Sequence, residues 1–340
     1  MANWYLENGK ESDIVVSTRI RLARNVEEFP FKVRQSKEQK KEFLKQVKYI
    51  TPSLGYALHY IDLKDMDDIT KMSLVEKHII SPDIVLEKQQ DTLGILINEE
   101  ENICIMLNEE DHMRIQVFCA GLDLQNTMNL AVEIDEKLAT QFHYACSKKY
   151  GYLTACPTNV GTGLRASVMV HLPALKLTGN ITKILQVVNN FGMNIRGVYG
   201  EDTQSKEDMY QISNNQTLGI TEKEIIANLE NITKKVIEQE RLARKYLTKN
   251  RLELEDKVYR SYGILTNAVK LDSEECASLL SDVKLGTDLG VIDSLKDSMV
   301  KKLELYTKPA NLQKYTGKIL NGYDRDIERA KVIKQIITAN

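Results

Sequence analysis

The run Cys-Pro-Thr-Asn-Val-Gly-Thr-Gly-Leu-Arg at residues 156–165 brings a thiol, a turn and a permanent cation together. Pro157 removes a donor and fixes one backbone angle, Gly161 and Gly163 open conformations closed to other residues, and β-branched residues resume after Arg165. Such a run reads as a shaped loop feeding a strand. Arg19 and Arg21 are two residues apart, which on a strand sets both side chains on one face. Taken alone, they fit a solvated basic edge better than an anion site. Arg24 breaks that alternation and stays outside the pair. The acids Glu109, Glu110 and Asp111 stand between Asn108 and His112; alone, they suit an exposed turn. Gly161-Thr162-Gly163 lacks the lysine of a phosphate-binding P-loop, and no protein-kinase motif is present.

These groups need a scaffold, and the chain is long enough for one. At 340 residues two domains are expected, and 42% hydrophobic with 28% charged residues is an ordinary globular balance. A net charge of -2 provides no whole-protein basic field, so no direct nucleic-acid partner is expected. The cysteines Cys104, Cys119, Cys146, Cys156 and Cys276 are odd in number without C-x-x-C spacing, and the histidines have no H-E-x-x-H pattern. Neither a disulfide framework nor a protein-bound metal is indicated. The first ten residues have no apolar signal core, and no stretch reaches the roughly 18 apolar residues of a membrane span. A cytoplasmic protein without a membrane partner is expected.

Strands are predicted at 56–63, 93–97, 103–107, 115–119, 166–172 and 193–199 from short β-branched or alternating runs. The polar link Asn98-Glu99-Glu100-Glu101-Asn102 favours a hairpin and an antiparallel pair. Helices are predicted at 37–50, 124–144 and 174–190, with Ser36 and Gln39 capping the first and Gly192 stopping the last. Thr221 and Glu224 can cap a long helix with Ile225, Leu229, Ile232 and Val236 on one face. Beyond residue 250 the chain reads as helix, which puts a domain boundary near 245.

The 156–165 run resembles the signature of the phosphagen kinases, the ATP:guanidino phosphotransferases. Four further stretches, in the family's order, support the resemblance: Ser17-Thr18-Arg19-Ile20-Arg21, Lys77-His78-Ile79-Ile80-Ser81-Pro82, Asn108-Glu109-Glu110-Asp111-His112-Met113-Arg114 and Arg196-Gly197-Val198-Tyr199-Gly200-Glu201. The resemblance implies an α+β fold: a catalytic domain over 14–245 with an antiparallel sheet flanked by helices, followed by an all-helical domain over 246–340. It also implies ATP and magnesium. ATP brings a polyphosphate whose charge must be neutralised during in-line transfer, and arginine forks suit that task. By resemblance the nucleotide is bound by Ser17, Thr18, Arg19, Ile20 and Arg21, by His78 and Arg114, by Arg165, Ala166, Ser167, Val168 and Met169, and by Arg196, Gly197, Val198, Tyr199, Gly200 and Glu201.

A guanidinium acceptor is a poor nucleophile until it loses a proton, which calls for carboxylates. The resemblance makes Glu110 the principal base and Glu201 the partner that orients the acceptor. Cys156 matches a substrate-positioning thiol, although a lone cysteine is more often a small buried hydrophobe. His112 is read as structural.

Creatine and arginine kinases carry a helical domain ahead of the first arginine pair, whereas here sixteen residues precede Ser17 and a helical segment follows the catalytic part. That order, with Arg325-Asp326-Ile327-Glu328-Arg329-Ala330 near the end, resembles the bacterial protein-arginine kinases of the McsB type. Arg325 and Arg329 fall on one helix face and could grip a phosphoryl group, with Asp326 receiving the guanidinium of phosphoarginine. Without the resemblance this motif would read as a solvated helix face. The family's partners are arginine-bearing protein substrates, including a heat-shock repressor, a Clp ATPase and protease that degrades the marked proteins in stress, and a zinc-binding activator protein. A homodimer is expected. Two alternatives stay open: a kinase of free arginine or another small guanidine, and an inactive adaptor that reads phosphoarginine.

Overall fold

The computed structural model describes residues 4–197 and 207–338. The strands are β1 (Val15–Arg24), β2 (His59–Asp62), β3 (Gly94–Ile97), β4 (Ile103–Leu107), β5 (Met113–Ala120), β6 (Cys146–Ser147), β7 (Gly151–Tyr152), β8 (Leu164–His171), β9 (Met193–Gly197) and β10 (Met209–Asn214). The helices of the first 250 residues are α1 (Lys37–Leu54), α2 (Asp68–Glu76), α3 (Pro82–Leu86), α4 (Leu124–Ala139), α5 (Pro173–Leu177), α6 (Ile181–Asn190) and α7 (Glu222–Leu247). After them come α8 (Arg251–Asn267), α9 (Ser273–Asp288), α10 (Asp297–Tyr306), α11 (Pro309–Thr316) and α12 (Gly322–Thr338).

Eight strands form one antiparallel sheet in the order β2-β3-β4-β5-β1-β8-β10-β9. Period-two alternation divides it into two unlike faces. Ile20 and Leu22 of β1 are paired with Val117 and Ile115 of β5 and with Ala166 and Leu164 of β8. All six belong to the main apolar core, together with Phe43 of α1, Met128 and Ile134 of α4, Leu185 of α6 and Ile225 and Leu229 of α7. On the other face, Ile95 of β3 and Met106 of β4 are covered by Leu74 of α2 and Ile84 of α3 in a smaller core. Beyond α7 a third core gathers Leu254, Val258, Leu280, Leu303 and Ile333 from α8, α9, α10 and α12. The expected α+β class, with an antiparallel sheet flanked by helices and a helical region after it, is what these layers form.

Local signals survive well. Ser36 and Gln39 make a reciprocal capping box on α1, as do Thr221 and Glu224 on α7, and β3 pairs antiparallel with β4 across the polar link. Three boundaries differ for backbone reasons. β2 starts at His59 rather than 56 because Gly55, Tyr56 and Ala57 hold φ of 78°, 57° and 48°, outside the β region. The helix predicted at 174–190 is broken into α5 and α6 where Gly179 takes φ 71°. The helix predicted to reach Tyr144 ends at Ala139, and Ala145 N instead donates to Asn25 O at 2.8 Å. β10, α2 and α3 had no counterpart in the sequence reading, and of the strand predicted at 193–199 Val198 and Tyr199 lie outside the described residues.

Candidate active site

Between β4 and β5 the segment 108–112 folds into a tight turn whose polar side chains are nearly all committed. Asn108 adopts φ 58°, a left-handed conformation asparagine tolerates, and its Nδ2 donates to Thr92 O at 2.9 Å and Lys40 O at 3.1 Å. Asp111, fully buried, accepts from Asn25 Nδ2 and from Ala155 N, each at 2.6 Å. His112 Nδ1 accepts from Val26 N at 3.0 Å, so its proton sits on Nε2, which donates to Pro30 O at 3.0 Å. Burial pushes its pKa down. Glu109 is 4% exposed and accepts from Ser81 Oγ at 2.7 Å and from Glu110 N at 2.8 Å. Glu110 is left with a side chain 40% exposed, paired to Arg114 at 2.8 Å. Its carboxylate borders a cavity of about 350 Å3 together with Arg114, Ala155, Lys32 and Asp83.

The Asp111–Ala155 bond ties this turn to the loop that carries Cys156. Pro157 opens a 3-10 turn, and Asn159 N donates back to Cys156 O at 3.0 Å. Gly161 and Gly163 have φ of 115° and 63°, and a Cβ would stand 2.2 Å from Thr217 O at the first and 2.7 Å from Ala23 O at the second. Only glycine fits at either position. The loop therefore lies flat against the sheet before β8 begins, with the Cys156 thiol partly exposed and its Sγ 3.0 Å from Thr158 Oγ1. Arg24, on the opposite face, is 3% exposed and bound to Asp135 at 2.7 Å and Thr162 O at 3.1 Å.

Five arginines share the second face of the sheet. Arg21 of β1 stands opposite Arg165 of β8 and Gln116 of β5, Arg114 opposite Ala23, Arg19 opposite Ser167 and Phe118, and Arg196 of β9 opposite Gln211 of β10, itself opposite Met169. Side chains paired across strands emerge on one face, so the cations span β5, β1, β8 and β9. Arg19 loses charge affinity through burial and then through Arg114 and Arg165, its pKa pushed down to about 10. Burial and the same neighbours, with Arg19, hold Arg21 well below its ordinary value despite Glu109. Arg165 is lowered by burial and then by Arg196, with Cys156 and Glu110 acting in the opposite sense. The Nε atoms of Arg21 and Arg165 are buried without a hydrogen-bond partner. A concentration of confined positive charge with unsatisfied donors suits a polyanion.

The contiguous runs named from the sequence divide between the faces. Ser17, Arg19, Arg21, Arg165, Ser167 and Met169 lie on the arginine face. Thr18, Ile20, Ala166 and Val168 point the other way and are fully buried, Thr18 donating to Gly121 O at 2.7 Å and the others lying in the apolar core. Their side chains are out of reach of anything bound at the arginines. His78 follows α2 at φ 61°. Burial, then Lys308 and Arg19, push its pKa down to about 3. Gly197 closes β9, whereas Val198, Tyr199, Gly200 and Glu201 lie outside the described residues. Gln211 was not singled out from the sequence, yet its Oε1 accepts from Arg19 at 2.8 Å. The alternation of buried Tyr210 and Ile212 about it was the available signal.

In the C-terminal motif the two arginines do not form a shared surface fork. Arg329 is 1% exposed, its Nε donates to Thr307 O at 2.8 Å, and its guanidinium also binds Leu271 O at 2.7 Å and Asp326 at 2.8 Å. Those acceptors turn it into the helical core, where Ala330 also lies. Arg325, Asp326, Ile327 and Glu328 are partly exposed, and Glu328 is bound by Lys318 at 2.5 Å.

The arrangement has known counterparts. Residues 40–243 match the model of the ATP:guanido phosphotransferase C-terminal catalytic domain, and residues 251–340 that of the protein-arginine kinase McsB C-terminal domain. The chain is 48% identical over 336 residues to a protein-arginine kinase of Halothermothrix orenii, covering 98% of this chain and 96% of that protein. With the protein-arginine kinase of Bacillus subtilis it shares 43% identity over 341 residues, covering 98% and 93%. Among solved structures, the substrate-free duplicated taurocyamine kinase from Schistosoma mansoni aligns with a TM-score of 0.60 at 29% identity, covering 69% of this chain and 35% of that one.

Proposed function

We propose residue roles from the premise that this chain belongs to the protein-arginine kinase family of ATP:guanido phosphotransferases. It is an ATP-dependent enzyme that transfers the γ-phosphoryl group to arginine side chains of proteins. The observation that carries the assignment of the site is the half-buried face of Arg19, Arg21, Arg114 and Arg165, with Arg196 at its edge and two orphaned Nε donors. In this reading the five cations hold the phosphates of ATP and stabilise charge as it spreads over the transferred group.

A nitrogen of the acceptor guanidinium attacks the γ-phosphorus, a P–N bond forms, the bond to the β–γ bridging oxygen breaks, and ADP leaves. The displaced proton goes to Glu110. That carboxylate is paired with Arg114, so phosphates drawing Arg114 toward the nucleotide would release Glu110 for the acceptor. Glu201 is assigned to orient the guanidinium and Cys156 to position it; the Cys156 loop is tethered to the Glu110 turn through Asp111 and Ala155. Magnesium would arrive on the nucleotide, held by its phosphates and by waters it keeps, and would neutralise phosphate charge there. Among the described residues no cluster of three His, Cys, Asp or Glu could hold a metal.

We assign residues 14–245 to catalysis and 246–340 to regulation, with phosphoarginine meeting Arg325 and Asp326 while Arg329 holds the motif in place. Marking of proteins for a Clp protease, inactivation of a heat-shock repressor, response to a zinc-binding activator, a homodimeric state and a cytoplasmic location belong to the same proposal, with family membership as their support. Among the described residues no helix is long and apolar enough to cross a membrane. Transfer of labelled γ-phosphate from ATP to an unfolded protein tests the chemistry. Label lost in acid and kept in base is the expected phosphoramidate; acid-stable label would contradict it.

A further inference from the structure

A cleft of about 520 Å3 opens beside the arginine face. One side is formed by Ser17, His78 and Met169, the other by Leu280 of α9, Glu304 of α10 and Lys308 at the start of α11. We propose that the helices beyond residue 250 supply the outer wall of the nucleoside end of the ATP pocket, with Glu304 and Lys308 as its polar contacts. This rests on reading the arginine face as the ATP site.

The cleft begins where the phosphate-facing cations stop. Ser17 is the next residue on that face of β1 after Arg19, and Met169 follows Ser167, whose Oγ accepts from Arg19 Nε at 3.4 Å. Lys308 Nζ donates to Glu76 O at 3.3 Å, which sets a C-terminal cation beside the segment that carries His78. A triphosphate lying on the arginines therefore leaves its nucleoside within reach of this cleft. The volume suits a small-molecule pocket, and the chemistry does too: thioether and aliphatic groups to cover a flat base, with a few polar groups to fix it. Glu304 makes no hydrogen bond or ion pair among the described residues, and a carboxylate is an acceptor for ribose hydroxyls or an exocyclic amine.

The wall is fastened to the elements that carry the nucleotide residues. Glu76, two residues before His78, accepts from Ala310 N at 2.7 Å and Asn311 N at 2.9 Å, and Ser73 Oγ donates to Asn311 Oδ1 at 2.7 Å. His171, at the end of the strand bearing Met169, is 2.8 Å from Ser281 Oγ of α9. Arg329 of the C-terminal motif holds Thr307 O, and Thr307 itself lines the cleft. The motif assigned to phosphoarginine is thus one hydrogen bond from the wall.

Trp4 is the single tryptophan and also lines the cleft, so its fluorescence can follow binding. ADP and inorganic tripolyphosphate would be titrated into the full chain, Lys308→Ala and the near-isosteric Glu304→Gln, with competition against ATP in the transfer assay for confirmation. The proposal expects ADP to bind about tenfold more weakly to each variant, on the order of one hydrogen bond to a charged group, while tripolyphosphate, which has no nucleoside, binds as to the parent. Unchanged ADP affinity in both variants would overturn the proposal and leave the kinase reading standing, as would equal losses for both ligands. A parent chain that binds neither ligand would overturn the proposal together with the ATP site on which it rests.

Discussion

Arg21 and Arg165 stand directly opposite each other on β1 and β8, and the Nε of each is buried without an acceptor. Like charges in that relation destabilise a sheet, so the pair carries a repulsion that a polyanion relieves. Arg165→Met is expected to raise the stability of the ligand-free protein by about 1 kcal/mol while abolishing the rise in Tm that ADP gives the parent. Thermal unfolding with and without ADP checks both halves.

Glu110 is the acid of its turn that anchoring leaves exposed. Glu110→Gln should lower kcat by roughly a thousandfold, in the range for loss of a general base, and leave ADP affinity within about twofold, since the change removes no phosphate donor. Rapid turnover by this variant would remove Glu110 from the role of base.

His171 offers a pH test. Its ring is fully buried, and burial, then Lys284 and Arg244, hold its pKa well below the usual value. Ser281 Oγ gives its proton to Asp208 at 2.7 Å, so it accepts from His171 Nε2, and the ring is neutral. The unfolded chain takes up a proton that the folded ring refuses, so this contribution is complete above about pH 6.5 and is lost as pH falls. Between pH 7.5 and 5.5 the loss is about 1.4 kcal/mol for this residue. Denaturant unfolding at the two pH values should show that difference shrinking by the same amount in His171→Gln.

The two arginines of the C-terminal motif should separate. Arg329→Ala removes a buried cation from Asp326 and two carbonyls and is expected to cost about 3 kcal/mol of stability. Arg325→Ala, at a partly exposed position, should leave stability within about 0.5 kcal/mol but weaken phosphoarginine binding. If phosphoarginine is coupled to the nucleotide site, each ligand must change the other's affinity by the same factor. Calorimetric titration of each in the presence of the other measures it.

What could be read from the sequence was what is local. The capping boxes at Ser36 and Thr221 and the hairpin at 98–102 depend on neighbours within a few residues. A motif names a contiguous run such as 17–21 as a unit, whereas period-two alternation turns Thr18 and Ile20 away from Arg19 and Arg21. The arginine face was legible strand by strand, but its assembly depends on the β5-β1-β8-β10-β9 order, which no single run encodes. The same holds for Arg329: its spacing from Arg325 predicts a shared face, yet Thr307 O and Leu271 O, far away in sequence, draw it into the core. Gln211 escaped notice because its strand is six residues long and follows a polar stretch.

Phosphorus NMR of the protein with magnesium-ATP, offered an unfolded protein substrate and free arginine in parallel, and repeated with Glu110→Gln, is the most direct measurement. Transfer to protein arginine through this arginine face and Glu110 predicts a phosphoramidate resonance on the protein substrate that the variant does not produce. A resonance on free arginine alone, or one on protein that persists at full rate in the variant, would contradict it.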